Sequence, residues 1–179
     1  KVILFGDSLM VGYGLPNEQH LSVVLQNSLE IEGYNIEIVN GSVSGSTSSG
    51  GLNIAEWTLS ESNIDLMILC LGANDMLRGI NPKETKNNLE EIVKIAKRKN
   101  IKVIIAGMIA PISYGSGYKK SFDKIFYDLS KKYKLQLIPF LLEGVAQKPK
   151  FNLSDGMHPN DQGTIIIANT LKKAILENL

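Results

Sequence analysis

The chain has 179 residues, 44% hydrophobic and 21% charged, with a net charge of +1. That length and balance describe one domain, residues 1–179, with a core of its own. The near-neutral charge gives no electrostatic reason to expect nucleic acid or an anionic membrane as partner. No apolar run approaches the roughly 18 residues that crossing a bilayer requires. A single cysteine, Cys70, excludes an internal disulfide.

The chain opens without a methionine, directly on an apolar run, as it would after removal of a leader or signal peptide; a shortened chain would open the same way. That run, Val2–Phe5, reads as a buried strand. His20–Glu32 carries Leu21, Val24, Leu25, Ser28, Leu29 and Glu32 at helical spacing, and Gly33 stops it. Ile36–Val39 and Leu66–Leu71 are the next strands. Pro82–Asn100 starts on a residue suited to a first helical position and carries the stripe Leu89, Ile92, Val93 and Ala96. It closes with Lys94, Lys97 and Arg98, where cations favour the helix dipole. Val103–Met108 is a fourth strand. Ser121–Tyr133 is a helix with Phe122, Ile125, Phe126 and Leu129 on one face. Leu135–Pro139 is a fifth strand, and Asp161–Leu176 a last helix with Ile165, Ala168, Leu171 and Ile175 in line.

Strands alternating with helices predict a three-layer α/β/α sandwich around a five-stranded parallel sheet with right-handed crossovers. The near-continuous apolar strands fit a sheet covered on both faces. In such sheets function gathers in the loops that leave the C-terminal strand ends. Here those are Gly6–Pro16, Asn40–Gly51, Gly72–Asn81, Ile109–Tyr118 and Phe140–His158.

The first loop places Ser8 just after a strand, where the turn can aim backbone N–H groups at its hydroxyl. Capping a helix or closing a turn is an equal reading of that serine alone. A serine needs a base, and only His20 and His158 supply an imidazole. His20, at a helix start, reads as a surface or capping residue. His158 lies in the last strand-end loop, and Asp155, three residues earlier, can accept from one ring nitrogen and leave the other for Ser8. Gly156 permits the tight path between them, and Pro159 sets the exit into the last helix. A plain helix-entry turn is the competing reading of this loop.

Acyl transfer also needs donors for an oxyanion. The Gly45 backbone N–H and the Asn74 side chain, in the second and third loops, are candidates, although each taken separately reads first as a turn former. Cys70 lies inside a strand and reads as core, and Asp7 as an acceptor for backbone donors around Ser8. Two histidines and one buried cysteine make a zinc site improbable, and the glycine-rich second loop lacks the lysine of a phosphate-binding loop. Leu77, Ile80, Ile109, Pro111, Ile112, Tyr114 and Met157 could line a groove for an acyl chain, with loop packing an equal reading. Gly115 and Gly117 around Ser116 suggest a mobile segment beside it.

Gly6-Asp7-Ser8-Leu9, Gly45, Gly72-Ala73-Asn74-Asp75 and Asp155-Gly156-Met157-His158 together resemble the four blocks of the SGNH, or GDSL, hydrolases, in order and over nearly the whole chain. The chain is most similar to the compact bacterial thioesterase I, lysophospholipase L1 and arylesterase group. The resemblance implies a flavodoxin-like SGNH hydrolase fold with Ser8 as nucleophile, His158 as base and Asp155 as its orienting acid. The Ser8 and Gly45 N–H groups and the Asn74 amide would form the oxyanion hole. It implies a cofactor-free and metal-free serine esterase or thioesterase that acts on small acyl substrates such as arylesters, acyl-CoA or lysophospholipids through an acyl-enzyme. It favours a periplasmic or secreted location, with a cytoplasmic one open, and leaves the oligomeric state unspecified. Two alternatives stand beside this reading: a carbohydrate O-deacetylase of the same fold, and a non-catalytic flavodoxin-like binding module.

Overall fold

Strands form where the apolar runs lie: β1 (Val2–Gly6), β2 (Ile38–Asn40), β3 (Leu66–Cys70), β4 (Lys102–Ala106) and β5 (Gln136–Ile138). All pair in parallel, in the order β2-β1-β3-β4-β5. The structure, a computed structural model, describes residues 1–178. Every residue of β1 and β3 is buried, because helices cover both faces and leave no solvent side for polar alternation. The second strand begins later than its apolar run. Gln26 accepts from the Ile38 N–H and donates to the Ile36 carbonyl, occupying groups a strand neighbour would otherwise take.

The helices are α1 (Ser8–Val11), α2 (Leu21–Ile31), α3 (Ser48–Thr58), α4 (Ala73–Leu77), α5 (Pro82–Arg98), α6 (Ser116–Tyr133) and α7 (Asp161–Leu176). α2 packs on α7 in one covering layer; α3 packs on α5, and α5 on α6, in the other. On α6, Phe122, Ile125, Phe126 and Leu129 are all buried. At about 1.5–3 kcal/mol each, they hold a helix whose intrinsic propensity is marginal. Among the described residues no helix is long and apolar enough to cross a membrane.

Several elements depart from the sequence expectation. α3 occupies a segment whose start reads as loop in the sequence. Its first turn is glycine-rich, yet Thr47 caps it by accepting from the Gly50 N–H, and Gly51 lets it lie close on the sheet. A Cβ on Gly51 would stand 2.3 Å from Leu71 Cδ1. α6 starts at Ser116, not Ser121, so Ser116 and Gly117 form its first turn rather than a glycine-hinged loop. On α7 the inward stripe runs through Thr164, Ile167, Ala168, Leu171, Ala174 and Ile175; Ile165 points outward and is 51% exposed.

The strand order places the site. From β1 the chain goes to one neighbour, β2, then crosses to β3 on the other side. The order reverses between β1 and β3, whose C-terminal ends lie side by side with Gly6 in register with Cys70. A crevice opens at such a switch point.

Candidate active site

Ser8 is the first residue of α1, directly beyond β1. Asp7 caps that helix, accepting from the Leu9 N–H at 3.1 Å. Gly6 makes the turn possible: a Cβ there would lie 2.5 Å from the Cys70 carbonyl oxygen and 2.8 Å from Met10 Cγ. As a first helical residue, Ser8 has a backbone N–H with no intrahelical acceptor.

The loop before α7 is held at several points. Asn152 and Pro159 form an isolated bridge, the Leu153 N–H donates to the His158 carbonyl at 2.7 Å, and Asn160 caps α7 by accepting from the Gly163 N–H at 3.0 Å. Gly156 turns the chain at a φ of 70°. Within this frame Asp155 Oδ1 accepts from the Met157 and His158 N–H groups at 2.9 and 3.0 Å, and Oδ2 accepts from His158 Nδ1 at 2.6 Å. The His158 backbone and ring donors, with the Met157 N–H, hold the Asp155 carboxyl down to about 2. A carboxylate that only accepts requires the proton on Nδ1, which leaves the Nε2 lone pair free. Nε2 lies 2.9 Å from Ser8 Oγ. The two ends of the chain, 150 residues apart, therefore meet in a Ser8–His158–Asp155 line. Tyr13, not anticipated as a site residue, lays its ring against His158 with centroids 4.5 Å apart.

Gly45 and Asn74 border the same cleft as Ser8 and His158. Asn74 Nδ2 donates to Asp7 Oδ2 at 3.2 Å, and the Gly45 carbonyl accepts from Arg78 Nη2 at 3.0 Å. Beneath them, the fully buried Asp75 carboxylate accepts from the Ser48 N–H and hydroxyl and from the Thr85 hydroxyl, while Asn88 donates to Ser48 Oγ. One residue after Asn74, this hub ties α4 to the start of α3, next to the Gly45 loop. Asp7, 1% exposed, is pushed up to about 6 by burial, opposed by the Leu9 and Asn74 donors.

The cleft encloses about 450 Å³. Of the anticipated groove residues, Leu77, Ile109, Pro111 and Met157 line it. Ile80, Ile112 and Tyr114 do not: the Ile80 carbonyl accepts from the Tyr118 hydroxyl, Tyr114 packs on the Tyr118 ring, and Ile112 is 68% exposed. Tyr13, Met76, Met108, Phe140 and Leu142 line it without having been anticipated. Their shared signal was position, since each sits in or beside a strand-end loop. A separate groove of about 520 Å³ beside β2 and Trp57 holds none of the candidate residues.

The remaining titratable candidates lie elsewhere. His20 makes no side-chain cap to α2; its Nε2 lies 3.0 Å from the Leu15 carbonyl oxygen. Cys70 is buried, which pushes its thiol well up and keeps it protonated.

Comparison with known proteins finds relatives that cover nearly the whole chain. An arylesterase of Vibrio mimicus is 34% identical over 179 residues, covering 100% of this chain and 90% of that protein. The thioesterase 1/protease 1/lysophospholipase L1 of Escherichia coli K12 is 30% identical over 174 residues, covering 97% and 82%. The crystal structure of the psychrotrophic esterase EstA from Pseudoalteromonas, inhibited by monoethylphosphonate, superposes with a TM-score of 0.93 at 30% identity over 98% of this chain and 96% of that one. The profile of the GDSL-like lipase/acylhydrolase family matches residues 4–164, and the chain belongs to that family.

Proposed function

We propose that the protein is a serine hydrolase of carboxylic esters and thioesters, with residues 1–179 acting as one catalytic domain. The observation that carries this reading is the contact of Ser8 Oγ with His158 Nε2 at 2.9 Å, continued by His158 Nδ1 to Asp155 at 2.6 Å. Ser8 attacks the acyl carbonyl as His158 takes its proton; Asp155 fixes the ring tautomer and stabilises the imidazolium. The negative oxygen of the tetrahedral intermediate is held by the N–H groups of Ser8 and Gly45 and by the Asn74 amide. His158 then hands its proton to the departing alcohol or thiol. Water, activated by the same ring, attacks the acyl-enzyme and releases the acid.

The lining of the cleft supports an acyl chain as the group recognised: Leu77, Met76, Met108, Ile109, Pro111 and Met157 offer mostly apolar surface around the reacting hydroxyl. The names of the relatives, arylesterase and thioesterase/lysophospholipase, point the same way. The test is a chain-length series of p-nitrophenyl esters from acetate to laurate, alongside acyl-CoA, lysophospholipid and acetylated sugar. Turnover of chains beyond acetate is expected. Activity confined to acetyl groups would make the protein a deacetylase, and no hydrolysis of any substrate would leave it a binding module.

A further inference from the structure

Asn74 poses a problem that its amide cannot solve alone. The two ends of a carboxamide are nearly the same shape, and its terminal torsion has a broad, roughly two-fold preference. An asparagine at the rim of a cleft can present either N–H, which would stabilise a negative oxygen, or C=O, which would repel it. Something must choose.

Resting on the reading of Asn74 as an oxyanion donor, we propose that Asp7 is the positioning residue of the oxyanion hole: its carboxylate holds the Asn74 amide in the orientation that turns nitrogen, not oxygen, to the reacting centre. The contact is Asn74 Nδ2 to Asp7 Oδ2 at 3.2 Å. A carboxylate only accepts, so only the nitrogen end of the amide can face it. With one amide hydrogen given to Asp7, the second, on the same nitrogen, remains for the substrate. Turning the amide over would set two acceptors against each other at a carboxylate that is 1% exposed.

Asp7 is itself held for this task. Its Oδ1 accepts from the Leu9 N–H at 3.1 Å, which fixes the carboxylate from the α1 side. Both oxygens are engaged by protein donors, and the residue is 1% exposed. Its link is to Asn74, and the same residue sits next to Ser8 in the chain. One side chain therefore joins the nucleophile's turn to the donor arriving from β3, across the switch point. The other ionisable groups acting on Asp7 are His158 and Asp75. Burial raises Asp7 to about 6, so above that pH it is the acceptor the geometry requires.

The variant Asp7→Asn keeps size and removes the logic. The Leu9 N–H still needs an acceptor, so the new amide turns its nitrogen toward Asn74. Two N–H₂ groups then face each other, and Asn74 escapes by turning over, which aims its oxygen at the oxyanion. We expect kcat to fall about 10²–10³-fold with KM unchanged, a loss of the size that follows removal of one oxyanion donor. Asn74→Ala should fall by a similar factor. The double variant Asp7→Asn/Asn74→Ala should be no slower than Asn74→Ala alone, because Asp7 acts through Asn74. A role limited to capping α1 would instead slow both backgrounds by the same factor, and that additivity overturns the proposal. So does full activity in Asp7→Asn beside a slow Asn74→Ala. Full activity in Asn74→Ala would instead remove the oxyanion reading on which the proposal rests. Should Asp7→Asn not fold, carbon-13 NMR of the Asp7 carboxyl in the wild type and in Asn74→Ala decides. Loss of the Asn74 donor should move the titration upward, and an unmoved titration shows that the contact does not exist in solution.

Discussion

Replacing Asp75 by alanine is expected to cost about 3–5 kcal/mol of folding stability, and replacing it by asparagine about 1–2 kcal/mol. Asp75 is fully buried, and its oxygens accept from the Ser48 N–H at 2.7 Å, from the Ser48 hydroxyl, and from the Thr85 hydroxyl at 3.1 Å. In Asp75→Ala the Ser48 N–H, at the first position of α3, is left without an acceptor, which costs about 1–3 kcal/mol. The Ser48 hydroxyl loses its acceptor as well, for about 1 kcal/mol, and the vacated volume adds roughly 1 kcal/mol. Thr85 escapes lightly, because a helical threonine can turn its hydroxyl to the carbonyl one turn back. In Asp75→Asn the amide oxygen can serve the Ser48 N–H, and the amide nitrogen can donate to the two hydroxyl oxygens, which accept as readily as they donate. The two variants should therefore separate by roughly 2 kcal/mol, a sizeable part of the ~5–15 kcal/mol that holds a domain together. Urea unfolding followed by far-UV circular dichroism measures this. With an m-value of about 2 kcal/mol/M, the midpoint should fall by roughly 1.5–2.5 M for alanine and 0.5–1 M for asparagine. An alanine variant within 1 kcal/mol of wild type, or one more stable than the asparagine variant, would refute the reasoning.

Loss of Asn74 by Asn74→Ala should lower kcat about 10²–10³-fold with little change in KM, measured on a p-nitrophenyl ester; an unchanged kcat removes it from the oxyanion hole. Asp155→Ala should lower kcat by roughly 10⁴, and near-normal turnover would show that His158 is oriented by something else. Because the folded Asp155 is held down to about 2, its contribution to stability is present above the ordinary aspartate range and is lost progressively as pH falls from about 4 through about 2. Asp7 has the opposite sign: raised to about 6 in the fold, it holds its proton longer than in the unfolded chain, so stability falls as pH rises from about 4 to about 6. Asp7→Asn should abolish that slope in urea titrations across the window, and an identical slope in both proteins would contradict the assignment.

The strands were legible because β1, β3 and, beyond Lys102, β4 are buried on both faces and so read as apolar runs, which no surface helix imitates. The long helices were legible for a similar reason; Leu89, Ile92, Val93 and Ala96 bury one stripe of α5 as their spacing requires. α3 was not, because Gly51 is there for close approach to the sheet, and a small residue chosen for proximity looks like loop in a periodicity argument. The phase slip at Ile165 has another origin: an isoleucine can stand on the outer face of an otherwise apolar helix, and only packing shows which isoleucine faces in. The Ser8, His158 and Asp155 trio could be anticipated because each lies in a strand-end loop and the chain has just two histidines to choose from. The links behind the site could not. That Asp7 reaches Asn74, or that Asp75 gathers Ser48 and Thr85, depends on side chains 67, 27 and 10 residues apart meeting in space. The groove was legible only in part, since Ile112 and Tyr114 share a loop with Ile109 and Pro111 but turn elsewhere.

The most direct test of the central claim is to treat the purified protein with a fluorophosphonate and locate the adduct by peptide mass spectrometry while following ester hydrolysis. The account predicts stoichiometric labelling at Ser8, loss of activity in step with it, and neither labelling nor hydrolysis above background in Ser8→Ala. Full hydrolytic activity in Ser8→Ala, or inactivation with the adduct on another residue, would contradict it.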